Sequence, residues 1–167
     1  HNCMWEYALA TLPEMQEQDV EPSTISFNAA ISACSAGKQW ERVLGKLKEM
    51  VDCRLEPDLI SFNAAVSACE KGKNWEWASA LLVEMQEQSS KPDLISYNAM
   101  ISACAKCEHW EGSLNILAEM PEHDVLPHVI SYSGVVRGAQ WEQALFTLEE
   151  MQSFSLEPNV ISFSAAI

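Results

Sequence analysis

Asparagine recurs at a fixed interval of 35 residues in this chain, and each copy is followed 4 residues later by a serine. The residues are Asn28 and Ser32, Asn63 and Ser67, and Asn98 and Ser102. An asparagine amide offers two donors and one acceptor, which suits hydrogen bonding to the edge of a nucleobase. Asparagine is also tolerated near the first turn of a helix, where it can cap free backbone groups. The residues alone leave both interpretations open.

Other chemistry-bearing residues predict no active site. The 4 histidines show no periodic partnership with a nucleophile or a carboxylate. Cys104 and Cys107, with His109 nearby, resemble half of a zinc site, but a single CxxC without a second pair is a weak signal. Cys34, Cys69 and Cys104 share one repeat position and are predicted to be buried free thiols, which suits a reducing compartment. We therefore expect no catalytic residues, no metal and no cofactor.

The elements that carry the asparagines belong to a copied unit. Proline recurs every 35 residues and then after 31, and tryptophan follows the same intervals. The residues are Pro22, Pro57, Pro92, Pro127 and Pro158, and Trp5, Trp40, Trp75, Trp110 and Trp141. Aligned on proline, the chain divides into units 24–58, 59–93 and 94–128, a shortened unit 129–159, and partial units 1–23 and 160–167. A period of this length indicates a repeat architecture.

Each unit is predicted to contain two short amphipathic helices. Phe27, Ala30, Ile31 and Cys34 fall at i, i+3, i+4 and i+7, the apolar stripe of a helix, and the next two units repeat it. The serine before each aromatic residue is a good N-cap, so we expect the first helices to begin at Ser26, Ser61, Ser96 and Ser131. Glycine marks the turn at Gly37 and Gly72, a second helix starts near each tryptophan, and the proline ends the unit.

Stacked units of this kind form an all-α solenoid whose core runs from unit to unit. Stacking aligns the asparagines along one side, which in a solenoid is often the concave binding surface. Unit 129–159 lacks 4 residues between Tyr132 and Trp141, so its first helix should be about one turn short.

The segments that open successive units resemble a known family. Pro57-Asp58-Leu59-Ile60-Ser61-Phe62-Asn63 and its counterpart from Pro92 to Asn98 are similar to the pentatricopeptide consensus, as is the turn from Cys69 to Glu76. The Trp-x-x-Leu-Gly-x-x-Tyr pattern of the tetratricopeptide repeat is absent. The chain is therefore identified as a P-type pentatricopeptide array, and the resemblance covers its whole length. It implies a right-handed superhelix of helix–turn–helix repeats that binds single-stranded RNA, one nucleotide per repeat.

The resemblance also implies which residues bind the RNA. The base-selecting pairs would be Asn28 with Asp58, Asn63 with Asp93, Asn98 with His128, and Ser133 with Asn159. The residues that sandwich the bases would be Ile25, Ile60, Ile95 and Ile130, and those that contact phosphates would be Lys71 and Lys106. The family's code then implies the target 5′-U-U-pyrimidine-A-3′.

The net charge of −14 opposes phosphate binding, which needs lysine and arginine. Of the 24 acidic residues, only Glu70 falls within the first-helix body of a full unit. Most of the others lie on the second helices, which should face outward, more than a Debye length of about 8–10 Å from the RNA. We expect weak, salt-sensitive RNA binding.

Two other functions remain open on the sequence: a protein-interaction scaffold that uses the acidic convex face, and the RNA-targeting arm of a larger enzyme. The family mostly serves RNA processing, editing, stability or translation in chloroplasts or mitochondria, so we expect an organelle protein. The chain starts at His1 within a unit, and we expect it to be an excerpt whose targeting segment lies elsewhere. No apolar run reaches the length of a membrane helix.

Overall fold

The computed structural model describes residues 4–88, 90–139, 141–153 and 156. Within these ranges the regular structure is entirely helical. Helix α1 spans Met4–Glu17, and four helix pairs follow it. The pairs are α2 (Thr24–Ala36) with α3 (Trp40–Asp52), α4 (Leu59–Lys71) with α5 (Trp75–Glu87), α6 (Leu94–Lys106) with α7 (Trp110–Glu119), and α8 (Val129–Gly138) with α9 (Trp141–Ser153). The prediction of an all-α helical repeat solenoid is confirmed.

The first helices of the pairs form one continuous layer. Helix α4 packs between α2 and α6, and α6 packs between α4 and α8. Helices α3, α5 and α7 each pack on their own first helix and on the first helix of the next pair, and they come less close to one another. Because the first helices are more tightly spaced than the second helices, the stack curves with the first helices on its inner side.

The core is the apolar stripe that the sequence predicts. Phe62, Ala65, Val66 and Cys69 of α4 are all fully buried, as are the matching residues of α2 and α6. The second helices close the core with methionines that recur near their ends and are also fully buried, namely Met50, Met85, Met120 and Met151. Burying one such large side chain contributes about 1.5–3 kcal/mol, and here each contribution links adjacent pairs.

The predicted helix starts at Ser26, Ser61, Ser96 and Ser131 are wrong. The N-caps are Ser23, Asp58, Asp93 and His128, three residues earlier, and the serines occupy the third helical position. Asp58 is extended (φ −96°, ψ 177°), and its Oδ1 accepts from the Ser61 backbone N–H at 2.9 Å. The Ser61 hydroxyl accepts in return from the Asp58 N–H at 3.2 Å, which completes a capping box. The residue after each proline therefore starts the first helix.

The periodic tryptophans pack against the turn of the following pair. A Cβ atom on Gly72 would lie 2.4 Å from Cδ1 of Trp40, and one on Gly37 would lie 2.5 Å from Cδ1 of Trp5. The positive φ of the turn falls on the next residue, with 54° at Lys73. Glycine is thus needed in this turn for space and not for backbone conformation.

Helix α8 has 10 residues, against 13 in α2, α4 and α6. This difference follows from the residues missing between Tyr132 and Trp141. Helix α7 is also short, since the chain continues as a 3-10 turn over Met120–His123 that contains Pro121, a residue without an N–H to donate. None of the helices described is long and apolar enough to cross a membrane.

Candidate functional site

The structure brings the first two predicted pairs into direct contact. Asn28 Nδ2 donates to both carboxylate oxygens of Asp58, at 3.1 and 3.2 Å. Asn63 Nδ2 donates to Oδ1 of Asp93 at 3.2 Å. All four side chains are half-buried, so each pair keeps part of its polar surface open to solvent. Each asparagine lies on one first helix and each aspartate caps the next, so the pair marks the junction between two repeats.

A third residue, a serine for which the sequence predicts only a capping role, contacts each asparagine. The single hydroxyl hydrogen of Ser61 has two acceptors within reach, Oδ1 of Asn28 and, at 2.9 Å, Oδ1 of Asp58. That of Ser96 likewise reaches Oδ1 of Asn63 and, at 3.0 Å, Oδ1 of Asp93. Ser131 Oγ makes the same bond to Oδ1 of Asn98 at 2.7 Å. These serines are at most 1% exposed. The signal for this contact was present in the sequence, because the serine recurs with the same 35-residue period as the asparagine.

The carboxylate of Asp58 is held in its charged form. Burial acts to raise its pKa, but hydrogen bonds from the Ser61 backbone, the Ser61 hydroxyl and the Asn28 amide outweigh burial and lower it. An ionised carboxylate only accepts hydrogen bonds, so the Asn28 amide must turn its nitrogen towards Asp58.

The third pair differs from the first two. His128 caps α8 by accepting from the Ile130 N–H at Nδ1, at 3.3 Å, so the neutral ring carries its hydrogen on Nε2. Among the described contacts, the Asn98 amide makes no hydrogen bond to His128. Both amide hydrogens of Asn98 are therefore available to a ligand.

Only one member of the fourth predicted pair, Ser133, lies in the described residues. Ser133 is 5% exposed, and its hydroxyl donates to the Val129 carbonyl at 2.7 Å. Its predicted partner Asn159 lies outside the described residues.

Four isoleucines form an exposed apolar series beside the pairs. Ile25, Ile60, Ile95 and Ile130 are 80%, 61%, 64% and 64% exposed. Each lies two residues after the N-cap of its helix. A large aliphatic side chain gains nothing from such exposure unless something covers it, and the flat face of a base would do so.

The two predicted phosphate lysines have partners within the protein. Lys71 Nζ donates to the backbone oxygen and to Oγ of Ser35, both at 3.3 Å. Lys106 Nζ lies 2.8 Å from Oε1 of Glu70, which also accepts from the Ser102 hydroxyl at 2.7 Å. The positive charge of Lys106 is therefore offset by a carboxylate of the preceding repeat.

The outer face has a different character. Glu41, Glu76 and Glu84 are exposed on the second helices, as predicted. Between α3 and α5 lies an apolar groove of about 450 Å³, whose lining includes Val51 and the half-exposed Trp77.

The buried cysteines are predicted correctly. Cys34, Cys69 and Cys104 are fully buried free thiols. Burial raises the pKa of Cys69 to about 11, and burial together with Cys107 raises that of Cys104 to about 11. Such thiols are poor nucleophiles and poor metal ligands at neutral pH. In the described part of the chain, no three His, Cys, Asp or Glu residues cluster as metal ligands would.

Comparison with known families gives a consistent result. The family model described as pentatricopeptide repeat domain matches residues 5–39 and 45–107. The PPR repeat family model matches residues 92–139, and the PPR repeat model matches residues 25–55. No curated protein matches the chain in sequence.

Solved structures match the fold over nearly the whole chain. The crystal structure of the pentatricopeptide repeat protein PPR10 from maize has a TM-score of 0.81 at 24% identity, and the match covers 97% of this chain and 24% of that one. PPR10 in complex with an 18-nt psaJ RNA element gives a TM-score of 0.77 at 21% identity, over 92% of this chain and 23% of that one. The PPR domain of Arabidopsis thaliana protein-only RNase P 1, in complex with tRNA, gives 0.81 at 16% identity, over 96% and 86%. The chain thus spans about a quarter of the length of PPR10.

Proposed function

Because this chain belongs to the pentatricopeptide repeat family, we propose that it binds single-stranded RNA in a sequence-specific manner, with one nucleotide read by each repeat. The observation that carries the proposal is the asparagine–aspartate junction, which recurs between successive repeats beside an exposed isoleucine. Two of the similar structures, PPR10 and the PPR domain of protein-only RNase P 1, are complexes with RNA. They support RNA as the ligand.

The polar pairs would select the bases. At Asn63 the amide gives one hydrogen to the carboxylate, and at Asn28 one hydrogen can be shared between the two carboxylate oxygens, so each amide can offer its other hydrogen to a base carbonyl. The carboxylate retains lone pairs that can accept the N3–H of uracil. With the family's code applied to the four pairs, we propose the target 5′-U-U-pyrimidine-A-3′, with the pyrimidine read by Asn98 and His128 and the adenine by Ser133 and Asn159.

The isoleucines would hold the bases in place. An aliphatic side chain that projects from the start of each first helix offers apolar area to the face of a base, whatever the identity of that base. Ile60 and Ile95 stand at successive repeats, so a base seated between them would be covered on both faces. Lys71 and Lys106 would contact the phosphates, with Glu70 reducing the contribution of Lys106.

The proposed role is binding without catalysis. Within this role the chain would recruit or protect a transcript during RNA processing, editing, stabilisation or translation in a chloroplast or mitochondrion. Family membership supports this assignment.

A binding assay with short oligonucleotides tests the proposal. UUCA- and UUUA-containing RNAs should bind more tightly than a GGGG-containing RNA and more tightly than the duplex, with affinities that fall as salt rises. Equal affinity for all of these ligands, or no detectable binding at low salt, would contradict the proposal.

The variant Asn63→Thr tests the assignment of one repeat to one nucleotide. Under the family's code, the preference at the second nucleotide should move from U towards G, with the first and third nucleotides unchanged. Asn115→Thr is the matched control, because Asn115 is exposed on the outer helix α7 and should not affect base preference. A uniform loss of affinity in Asn63→Thr would indicate a structural role instead.

A further inference from the structure

The serine at the third position of α4, α6 and α8 has one hydroxyl hydrogen to donate. In α4 and α6 two acceptors lie within reach of it, the asparagine Oδ1 of the preceding repeat and the Oδ1 of the N-cap aspartate, the latter at 2.9 and 3.0 Å. The serine oxygen already accepts from the backbone N–H of the N-cap, at 3.2 Å for Asp93 to Ser96 and 3.3 Å for His128 to Ser131. In α8 the N-cap is a histidine, and the hydrogen of Ser131 is directed to Oδ1 of Asn98 in the preceding repeat, at 2.7 Å. The serine therefore links two repeats and does more than cap its own helix.

This bond determines which end of the amide reaches the ligand. A carbonyl oxygen that accepts from a buried serine faces the helix interface, so the NH₂ group must face away from it. We propose that Ser61, Ser96 and Ser131 are positioning residues for base recognition, since they lock the asparagine amides with N–H donors outward. The recognised ligands are then bases that present a carbonyl oxygen at the contacted edge; uracil, cytosine and guanine carry one, and adenine does not.

The inference rests on the proposed function and deepens it, because it assigns the base preference to three residues outside the selecting pairs. The hydrogen bonds also predict that the three serines differ in how much they contribute to the orientation of their asparagines. At Asn28 and Asn63 the carboxylates of Asp58 and Asp93 accept from Nδ2 and hold the same orientation independently. At Asn98 the bond from Ser131 is the only described contact that fixes the orientation of the amide, since His128 makes no described hydrogen bond to it.

Removing the Ser131 hydroxyl should therefore release the amide of Asn98. In Ser131→Ala the amide can turn over and present its oxygen to the base, so it accepts from amino groups as readily as it donates to carbonyls. We expect the preference for C and U over A, the base without a carbonyl, to fall about fivefold to tenfold at the third nucleotide, the value of about one hydrogen bond. Preferences at the first two nucleotides should remain.

The chain supplies matched controls for this variant. Ser26→Ala removes the same hydroxyl from the same helical position in α2, where it bonds to Ser23 at 3.2 Å and to no asparagine of the described chain. Ser61→Ala removes a serine whose asparagine is still held by Asp58, so it should reduce the preference at the first nucleotide much less. Ser131→Thr keeps the hydroxyl and should restore the wild-type preference.

The experiment measures equilibrium affinities for four RNAs that differ only at the third nucleotide, for the wild type and these four variants, with thermal unfolding to confirm that each is folded. A selective loss at the third nucleotide in Ser131→Ala, with Ser26→Ala unchanged, supports the inference. Full retention of the preference, or an equal loss of affinity for all four RNAs, overturns the positioning role. A wild type that shows no base preference at any position overturns the proposed function itself, so the two failures are distinct.

Discussion

At the residue scale, the contact between Gly72 and Trp40 shows how closely neighbouring repeats approach. Gly72 has φ −79°, which any residue can adopt, yet a Cβ atom there would lie 2.4 Å from the indole ring. Gly45 is the converse case, since it lies in the exposed interior of α3 and a Cβ atom there would have no neighbour within 4 Å. The same residue type therefore serves packing at one site and only weakens a helix at the other.

Gly72→Ala and Gly45→Ala should change stability in opposite directions. Gly72→Ala overpacks the interface and should lower the free energy of unfolding by about 1–3 kcal/mol. Gly45→Ala removes a flexible residue from a helix interior and should raise it by about 0.5–1 kcal/mol. Urea unfolding followed by circular dichroism measures both. A Gly72→Ala protein as stable as the wild type would show that Trp40 can move aside without cost.

At the scale of helices, each N-cap both starts a first helix and completes a base-selecting pair. Asp58 receives hydrogen bonds from its own helix through Ser61 and from the preceding repeat through Asn28. Capping and recognition therefore depend on the same carboxylate, and its protonation affects both.

The cap at Asp58 predicts a dependence of stability on acid. Hydrogen bonds to Ser61 and Asn28 hold the pKa of Asp58 in the folded protein below that of a free Asp carboxyl, in spite of burial. The stability that this carboxylate contributes is therefore present at neutral pH, and it is lost as the pH falls through the pKa of the unfolded chain and then through the lower pKa of the folded protein. Asp58→Asn keeps a good cap that does not titrate. Between pH 5 and pH 3 (roughly the range over which a free Asp carboxyl protonates), the urea midpoint should fall less in this variant than in the wild type.

Asp52→Asn serves as the control for that measurement. Asp52 is exposed at the end of α3 and caps no helix, so its variant should keep the acid dependence of the wild type. If Asp58→Asn and Asp52→Asn respond to acid alike, the carboxylate of Asp58 is not the source of the effect.

The helices could be predicted from sequence more reliably than their contacts. The apolar stripe from Phe62 to Cys69 predicts both a helix and its buried face, because helical periodicity is a local property. The helix start was misplaced because Asp58 and Ser61 are equally good caps by residue type, and only the backbone at Asp58 decides between them. The bonds from Ser61 to Asn28 and from Lys106 to Glu70 join different repeats, so they depend on how the helices stack.

At the scale of the whole molecule, the distribution of charge decides how strongly an acidic array can bind RNA. The chain has 10 Lys and Arg against 24 Asp and Glu. The second helices carry exposed acids such as Glu41 and Glu84, while Glu70 is the acid within the first helices of the described pairs. That single acid lies next to Lys106, one of the few cations available to a phosphate. Glu70 should therefore lower the affinity for RNA more than another acidic residue of the same charge on the outer helices does.

Glu70→Gln should strengthen RNA binding and make it more dependent on salt. The glutamine can still accept from Ser102, but it no longer neutralises Lys106, which becomes free to bind a phosphate. For one additional phosphate contact on a single strand, the slope of log K against log salt should steepen by about 0.7. Affinity at low salt should rise about twofold to fivefold. Glu84→Gln makes the same change in net charge on the outer helix α5 and should leave the slope unchanged. Equal effects of the two variants would mean that net charge, and not the pair of Glu70 with Lys106, limits binding.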